Sequence, residues 1–295
     1  MADVTLLDGG LGQELNRRFE KPAHPLWSLH VMRERPDLVQ AVHEDFINAG
    51  AQVLTINTYT ATPPRLARDG DVAWFSPMQA EAFALADAAR QTTGCPWGPV
   101  RLAGCLPPLV GSYSPESAPS DDECREHYAA IVAAQPDVDL FICETLPSIR
   151  EGLLAAEAAV RSGKPVFLSF TVSDDIRQPP RLRSGESIEA AVNAVQALPL
   201  AGLLLNCSTP EAIERALPTL SEAGVPYGAY ANGFTSVEAL KPGGTVDVLA
   251  ARRDLDPEAY ATAVERWLEL GATLVGGCCE VGPEHIRLLR ERLNP

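Results

Sequence analysis

Short apolar runs alternate with longer amphipathic segments along the chain, and this alternation predicts its secondary structure. The apolar runs are rich in Val, Leu and Ile, which favour strands. Near-continuous apolar character is typical of strands that are buried on both faces of a parallel sheet. We therefore predict eight strands, over residues 4–8, 51–57, 100–105, 138–144, 165–172, 202–207, 226–232 and 273–278.

Eight amphipathic segments separate these strands or follow the last one, and they predict helices. Each segment has Ser, Asp or Pro in its first turn or ends at Gly, as helix starts and stops usually do. The predicted helices cover residues 35–50, 76–94, 121–135, 148–163, 187–198, 210–224, 256–271 and 283–294.

Eight strand and helix units in 295 residues favour a closed (β/α)₈ barrel, the TIM-barrel fold of the α/β class, over an open doubly wound sheet. No change of composition, long linker or repeat divides the chain, so we predict one domain over residues 1–295. The Pro-rich segments 106–120 and 174–186 follow strands three and five. We expect them to be long loops on the face where a barrel carries its active site.

Composition and charge narrow the range of partners. Lys and Arg total 24 and Asp and Glu total 39, which gives a formal net charge of −15. Such a charge repels nucleic acid and anionic lipid, so we expect neither as a partner. The first residues have no signal-peptide pattern, and no apolar run approaches the roughly 18 residues needed to span a bilayer. We therefore expect a cytoplasmic protein, and the sequence does not indicate its oligomeric state.

Polar residues and thiols collect where the predicted strands end. In a barrel these positions meet at one rim, and catalytic residues come from them. The residues at these ends are Asp8, Asn57, Cys105, Glu144, Cys207, Asn232 and the pair Cys278 and Cys279.

Cys207, Cys278 and Cys279 follow strands six and eight and are candidates for a metal site. Zinc binds thiolates in tetrahedral geometry, and three protein ligands leave the fourth place for a substrate. Adjacent cysteines point to opposite sides of a regular strand, so both reach one metal only where the strand has ended. The glycines at 276 and 277 supply the freedom for that turn. Buried apolar thiols are the open alternative, because free Cys is among the most buried residue types.

Asp8 and Glu144 are candidates for binding a cationic group, such as an amino-acid ammonium, although capping of the next loop or helix is an equal alternative. Gly9 and Gly10 would let the backbone come close to a ligand. Aromatic faces also bind cations. Trp27, Tyr59 and Tyr113 are candidates for this role, since they lie in or beside the loops after the first three strands, although simple packing is the more frequent role.

Seven segments, in order, carry a resemblance to a known family. They are LLDGGLGQEL (6–15), LWS (26–28), AVHEDFINAGAQVLTINTYTAT (41–62), FICETLPSIREG (141–152), GLLLNCSTPE (202–211), YGAYANG (227–233) and VGGCCEVGPEHIRLL (275–289). Over essentially its whole length the chain resembles the homocysteine S-methyltransferases, a zinc-dependent thiol methyltransferase family.

This resemblance implies a (β/α)₈ barrel with zinc on Cys207, Cys278 and Cys279 and the homocysteine sulfur as fourth ligand. The amino-acid end of homocysteine would lie near Asp8, Glu144 and the backbone at Gly9 and Gly10. By the same resemblance Asn57 and Asn232 fit the polar rim of the pocket. Trp27 and Tyr59, from their positions in or beside loops, complete the predicted substrate-binding residues. Zinc would deprotonate the substrate thiol, which takes a methyl group by in-line displacement to give methionine without a general base.

The methyl donor is less well defined. The barrel fills the chain, so no cobalamin or folate module is expected, and small onium donors remain. We expect S-methylmethionine or S-adenosylmethionine, with betaine or dimethylsulfoniopropionate as alternatives.

Two segments depart from the family pattern. Glu280, Val281 and Gly282 stand where many relatives have Gly and Thr, and the segment 57–71 differs from the loop expected in S-methylmethionine users. Two other hypotheses remain: another thiol or selenol as acceptor, and a non-catalytic zinc-thiolate or redox-sensing barrel.

Overall fold

The structure is a computed structural model that describes residues 4–293. It contains one sheet of eight parallel strands, with β8 between β1 and β7 and the remaining strands in sequence order down to β2. An isolated parallel bridge between Leu7 and Val53 joins the two edges, so the sheet closes on itself. The strands are β1 (Thr5–Leu6), β2 (Val53–Thr55), β3 (Arg101–Leu106), β4 (Leu140–Leu146), β5 (Val166–Phe170), β6 (Gly202–Asn206), β7 (Tyr227–Tyr230) and β8 (Leu274–Val275). The predicted barrel is confirmed.

Helices connect the strands and cover the outside of the barrel. The described helices are α1 (Leu11–Arg18), α2 (Trp27–Glu34), α3 (Pro36–Ala49), α4 (Pro63–Asp69), α5 (Phe75–Thr93), α6 (Asp121–Ala133), α7 (Ile149–Val160), α8 (Ile188–Val195), α9 (Pro210–Leu220), α10 (Pro257–Glu269) and α11 (Pro283–Leu293). All eight predicted helices are present, although the last predicted residue, 294, lies outside the described residues. Their ends follow local chemistry: Ser120 forms a capping box with Glu123 at the start of α6, and Gly50 adopts a left-handed conformation after α3.

The three helices α1, α2 and α4 are absent from the sequence-based prediction, which placed loops there. Trp27 therefore begins a helix and lies beside the loop that precedes it. These helices have eight residues or fewer, a length at which an isolated helix is unstable in water. Packing against the rest of the protein stabilises them, and short-range sequence pattern does not report that contribution.

Most strands are shorter than predicted, and the difference matters most at β8. The predicted strand ran to residue 278, but β8 ends at Val275. Gly276 and Gly277 remain buried in an irregular segment after the strand, and a turn follows at Cys279 and Glu280. Both cysteines that follow therefore lie in a loop, as a shared metal site requires.

The core has two layers. Inside the barrel, side chains from several strands form one cluster, which includes Leu140, Ile142 and Phe167. A larger cluster fills the space between the strands and the surrounding helices, where Trp267 and Tyr128 are fully buried. Among the described residues, no helix is both long and apolar enough to cross a membrane.

Long connections lie at the carboxyl ends of β3, β5 and β7. The first two were predicted, and the one after β5 contains short antiparallel bridges, such as the bridge between Val172 and Leu182. The third connection, residues 231–256, was not singled out by the sequence. Phe234 and Val237 from this connection pack in a cluster with Cys207 and Cys279, so it closes over the strand ends.

The imidazole of His43, on α3, is buried, and its nitrogens have no hydrogen-bond partner within residues 4–293. Burial lowers its pKa from 6.5 to about 4, so between these pH values the unfolded chain binds a proton that the folded chain does not. As the pH falls from 6.5 to 4, the free energy of unfolding should therefore decrease by on the order of 3 kcal/mol. We expect His43→Leu to lose this part of the pH dependence in urea unfolding at pH 7 and pH 4.

The partly exposed His127 on α6 provides the matched control. We expect His127→Leu to keep the wild-type difference in stability between the two pH values. The same pH dependence in His43→Leu and in the wild-type protein would contradict the prediction.

Candidate active site

One pocket at the carboxyl ends of the strands encloses about 140 Å³ and collects nearly all of the predicted site residues. Asn232 is the exception, because it does not line the pocket and lies behind Cys207. The predicted residues that line the pocket are Asp8, Gly9, Gly10, Trp27, Asn57, Tyr59, Tyr113, Glu144, Cys207, Cys278 and Cys279.

The sulfur atoms of Cys207, Cys278 and Cys279 lie within 4.8 Å of one another. The sulfurs of Cys207 and Cys279 are 4.0 Å apart. Zinc–sulfur bonds of about 2.3 Å in a tetrahedron place the sulfurs about 3.8 Å apart. The three thiols therefore have the spacing of a metal site with three cysteine ligands.

Backbone hydrogen bonds hold the two cysteine loops in this position. The Cys278 amide donates to the Ala231 carbonyl at 2.9 Å, and the Gly233 amide donates to the Cys279 carbonyl at 2.8 Å. Cys207 directly follows β6, and its amide donates to the Tyr230 carbonyl at 3.1 Å. Cys207 has a φ of 49°, an uncommon value for a residue other than glycine. Its sulfur therefore takes a direction that the regular strand does not give.

Gly9 and Gly10 follow β1 and allow the backbone there to approach residues 276–282, the double-cysteine loop that contains Cys278 and Cys279. A β-carbon on Gly10 would lie 2.5 Å from the Cys278 carbonyl oxygen, and one on Gly9 would lie 2.2 Å from the Val281 carbonyl oxygen. The Gly10 amide also donates to the Val281 carbonyl at 2.8 Å. Both glycines line the pocket, and packing between the two loops is a second reason for their small size.

The three thiols form one strongly interacting group. Hydrogen bonds from Cys278 and Cys279 hold the pKa of the Cys207 thiol well below its usual range. The interaction with Cys207 in turn raises the pKa of Cys278 and of Cys279 well above the usual range. Negative charge is therefore concentrated on Cys207, and a bound cation would stabilise ionisation of the other two thiols.

Asp8 and Glu144 supply two carboxyl groups to the same pocket, and Asp8 is buried while Glu144 is half-buried. Burial raises the pKa of Glu144 to about 7, although Cys105 and Tyr230 donate hydrogen bonds to its two oxygens at 3.0 and 3.4 Å. Burial also raises the pKa of Asp8, with a contribution from the negative charge of Glu144, while the Thr55 amide donates to it at 2.8 Å.

Neither carboxyl group forms an ion pair with Lys or Arg within the described part of the chain. A cationic ligand would lower the energy of both carboxylates. Arg65, Arg68 and Lys241 also line the pocket but form no ion pair with either carboxyl group, so the part beside Asp8 and Glu144 is the one that suits an ammonium group.

Cys105, the other cysteine predicted at a strand end, does not join the three clustered thiols. Its thiol donates to Glu144, and it belongs neither to the group of three close sulfurs nor to the pocket lining.

The two predicted asparagines have different positions. The Asn57 side chain lines the pocket, and its amide donates to the Ser28 carbonyl at 3.1 Å, which ties the end of β2 to α2. The Asn232 amide lies 4.0 Å from the Cys207 sulfur, and its oxygen accepts a hydrogen bond from the Phe234 amide. Asn232 therefore supports the thiol cluster from behind and does not form the rim of the pocket.

Aromatic side chains form one wall of the pocket. The rings of Trp27 and Tyr59 meet edge to face, with centroids 6.2 Å apart. The Tyr59 hydroxyl donates to the Ser112 hydroxyl at 2.8 Å. The Tyr113 hydroxyl lies 3.0 Å from the sulfur of Cys207. These rings line the same pocket as the acidic groups and the thiols. The Arg65 guanidinium lies 5.2 Å from the Tyr59 ring centroid, and that of Arg183 lies 5.3 Å from the Tyr113 centroid. Among the described residues, the Trp27 ring is therefore the one of the three without a cation of the protein over it.

Several residues that build this site are not among those predicted from the sequence. Thr145, directly after Glu144, has a φ of 61°, which is strained for a β-branched residue. The buried side chain of Asn206 holds it there by accepting from the Thr145 amide and donating to its hydroxyl, both at 2.8 Å. The connection after β7 also contributes lining residues, including Phe234 and Leu240. No local sequence signal distinguishes these positions, because their roles depend on distant contacts.

The departure at Glu280, Val281 and Gly282 lies outside the pocket lining. The Glu280 carboxylate accepts hydrogen bonds from Gln13 and Arg17 on α1. These three residues therefore act on the shape of the double-cysteine loop and not on the pocket wall itself.

Comparisons with known proteins agree with this geometry. The family model described as homocysteine S-methyltransferase matches residues 5–293. A homocysteine S-methyltransferase from Escherichia coli strain K12 is 29% identical, and the alignment covers 98% of this chain and 95% of that protein. A selenocysteine methyltransferase from Astragalus bisulcatus is 25% identical, with coverage of 96% and 90%.

A solved structure shows the same similarity. The homocysteine methyltransferase MmuM from Escherichia coli, in its metallated form, superimposes with a TM-score of 0.82 at 28% identity. The match covers 98% of this chain and 96% of that chain. Because the family model and these relatives agree over nearly the full length, the chain is an enzyme of the homocysteine S-methyltransferase family.

Proposed function

We propose that residues 1–295 form a single homocysteine-binding barrel domain, a zinc-dependent enzyme that transfers a methyl group from a small onium donor to the sulfur of homocysteine. S-methylmethionine or S-adenosylmethionine is the expected donor, and betaine or dimethylsulfoniopropionate is the alternative. The observation that carries the proposal is the shared pocket, in which three clustered thiols lie with the carboxyl groups of Asp8 and Glu144.

Cys207, Cys278 and Cys279 would hold the zinc ion. Their spacing fits tetrahedral zinc, and three ligands leave a fourth position open, as in catalytic and not structural zinc sites. When bound, zinc supplies a Lewis acid that stabilises the substrate sulfur as a thiolate, the form that attacks carbon. A metallated relative with 28% identity supports a metal at this site.

Asp8 and Glu144 would bind the ammonium group of homocysteine. The two carboxyl groups lack a cationic partner within residues 4–293, and burial makes their charged forms costly. An ammonium group supplies the missing positive charge and charge-assisted hydrogen bonds. The backbone at Gly9 and Gly10 lies in the same part of the pocket and would orient the amino-acid end.

The methyl group would move by in-line displacement. A new carbon–sulfur bond forms on homocysteine while the bond between the methyl carbon and the positive centre of the donor breaks. The donor leaves as a neutral sulfide or amine with the bonding electron pair, and the thiol proton goes to solvent. Trp27 and Tyr59 would hold the positive donor against their rings.

Two alternatives differ in their support. The relative named selenocysteine methyltransferase favours testing a selenol or another thiol as acceptor. A non-catalytic zinc-thiolate or redox-sensing barrel is not favoured, because the named relatives are methyltransferases.

The zinc-loaded protein should form methionine from homocysteine and one of four donors tested separately: S-methylmethionine, S-adenosylmethionine, betaine and dimethylsulfoniopropionate. Methionine is measured by chromatography, and parallel reactions contain selenocysteine or no acceptor. Methyl transfer to selenocysteine alone would identify the alternative acceptor. No transfer from any donor, in protein that holds one zinc ion, would contradict the proposed reaction.

Replacing any metal ligand should abolish both metal binding and methyl transfer. We expect Cys207→Ala, Cys278→Ala and Cys279→Ala each to retain no stoichiometric zinc after dialysis, as measured by elemental analysis. Cys95→Ala is the matched control, because Cys95 lies outside the pocket, and it should keep one zinc ion and full activity. Full activity of a ligand variant without zinc would rule out the proposed metal site.

Ammonium binding should depend on the ionisation of Glu144. Because its pKa is about 7 in the free pocket, about a tenth of this group is ionised at pH 6 and about nine tenths at pH 8. Norleucine has the amino-acid group but no thiol, so its Kd isolates this interaction. We expect norleucine to bind roughly tenfold more tightly at pH 8 than at pH 6, as measured by calorimetry.

Glu144→Gln should reduce this pH dependence to the part that Asp8 contributes, and it should weaken norleucine binding at pH 8 by roughly 10-fold or more, the value of a hydrogen bond to a charged group. Glu126→Gln, an exposed position on α6, is the matched control with the same loss of charge. Equal affinities of the wild-type protein and Glu144→Gln at pH 8 would exclude Glu144 from the ammonium site.

A further inference from the structure

The Tyr113 hydroxyl, on the connection after β3, lies 3.0 Å from the sulfur of Cys207. Among the described residues, one other side chain outside the three cysteines forms a hydrogen bond to one of their sulfurs. It is Asn232, whose side-chain amide lies 4.0 Å from the sulfur of Cys207. Cys278 and Cys279 have no such neighbour within residues 4–293. One of the three sulfurs is therefore distinguished from the other two by a close phenol.

The fold fixes the position of this phenol. The guanidinium of Arg183, on the connection after β5, lies over the Tyr113 ring at 5.3 Å from its centroid. Arg183 is held by an ion pair with Asp174 at 2.6 Å, and Asp174 also accepts a hydrogen bond from the Thr209 amide at 2.8 Å. Thr209 precedes α9, two residues after Cys207. The residues that support Tyr113 are therefore linked by hydrogen bonds to the segment that contains Cys207.

The direction of the hydrogen bond follows from the chemistry of a metal ligand. A cysteine that binds zinc does so as a thiolate, which has no proton and acts only as an acceptor. The phenol of tyrosine carries a proton that it can donate. With a metal on the cysteines, the O–H group of Tyr113 therefore donates to the sulfur of Cys207.

We propose that Tyr113 is a positioning residue, which holds the Cys207 thiolate in place and withdraws electron density from it. This inference rests on the proposed zinc site. Hydrogen bonds to metal ligands fix their orientation and tune the metal. Here the bond makes Cys207 a weaker electron donor than Cys278 or Cys279, so the metal would attract the substrate sulfur more strongly.

Cobalt(II) substitution gives a readout that does not depend on turnover. A hydrogen bond lowers the energy of the sulfur lone pair, so its loss should move the thiolate-to-cobalt charge-transfer band to longer wavelength. We expect Tyr113→Phe, which keeps the ring, to show this shift. We also expect the variant to bind zinc roughly 10-fold more weakly than the wild-type protein in competition with a chelating dye, because the loss of the contact that orients and stabilises the Cys207 thiolate outweighs its stronger electron donation.

Tyr59→Phe is the matched control for the spectrum and for zinc affinity. Tyr59 lines the same pocket, but its hydroxyl contacts Ser112 and not a cysteine. This variant should keep the wild-type charge-transfer band and the wild-type affinity. Circular dichroism of all three proteins establishes that each is folded.

The proposal is overturned if the band or the zinc affinity of Tyr113→Phe coincides with that of the wild-type protein, or if Tyr59→Phe shows the same changes. Failure of the wild-type protein to bind cobalt at its cysteines would overturn it together with the zinc site. A band shift in protein that forms no methionine would support the role of Tyr113 and reject only the proposed methyl transfer.

Discussion

The site depends on one constraint, the close approach of the backbone segments that follow β1 and β8. Side chains at Gly9 or Gly10 would collide with carbonyl oxygens of the double-cysteine loop. Gly276 is equally restricted, because a β-carbon added at this position would lie 2.6 Å from the β-carbon of Leu7. The same contacts bring Asp8 into the pocket that contains the cysteines. A barrel with bulkier residues at this seam would separate the carboxyl group from the thiols.

The pocket also concentrates acidic groups in a buried environment. Asp8, Glu144 and the three thiols lie at the carboxyl ends of the strands, and neither carboxyl group has a Lys or Arg partner in the described chain. Ionisation of these groups is costly without compensating positive charge. Two cations of different kinds would relieve this cost, a metal ion at the thiols and an ammonium group at the carboxylates. The electrostatics and the geometry therefore favour the same ligands.

Uncommon backbone conformations occur at several residues around the pocket. Trp27, Thr145 and Cys207 all have positive φ values, which cost energy for residues other than glycine. Distant contacts maintain at least one of them, because Asn206 makes two hydrogen bonds to Thr145. The barrel thus provides a rigid frame in which the side chains that contact a ligand have directions that regular strands would not give them.

The sequence by itself determined the eight strand and helix units, the rim on which polar residues collect, and the three thiols, because periodicity and strand ends are local properties. It did not determine α1, α2 and α4, the connection over residues 231–256, or the distinction between Asn57 in the pocket and Asn232 behind a cysteine. It also gave no sign that Tyr113 contacts Cys207, 94 positions along the chain. These features arise only when segments far apart in sequence pack together, so the tertiary structure alone decides them.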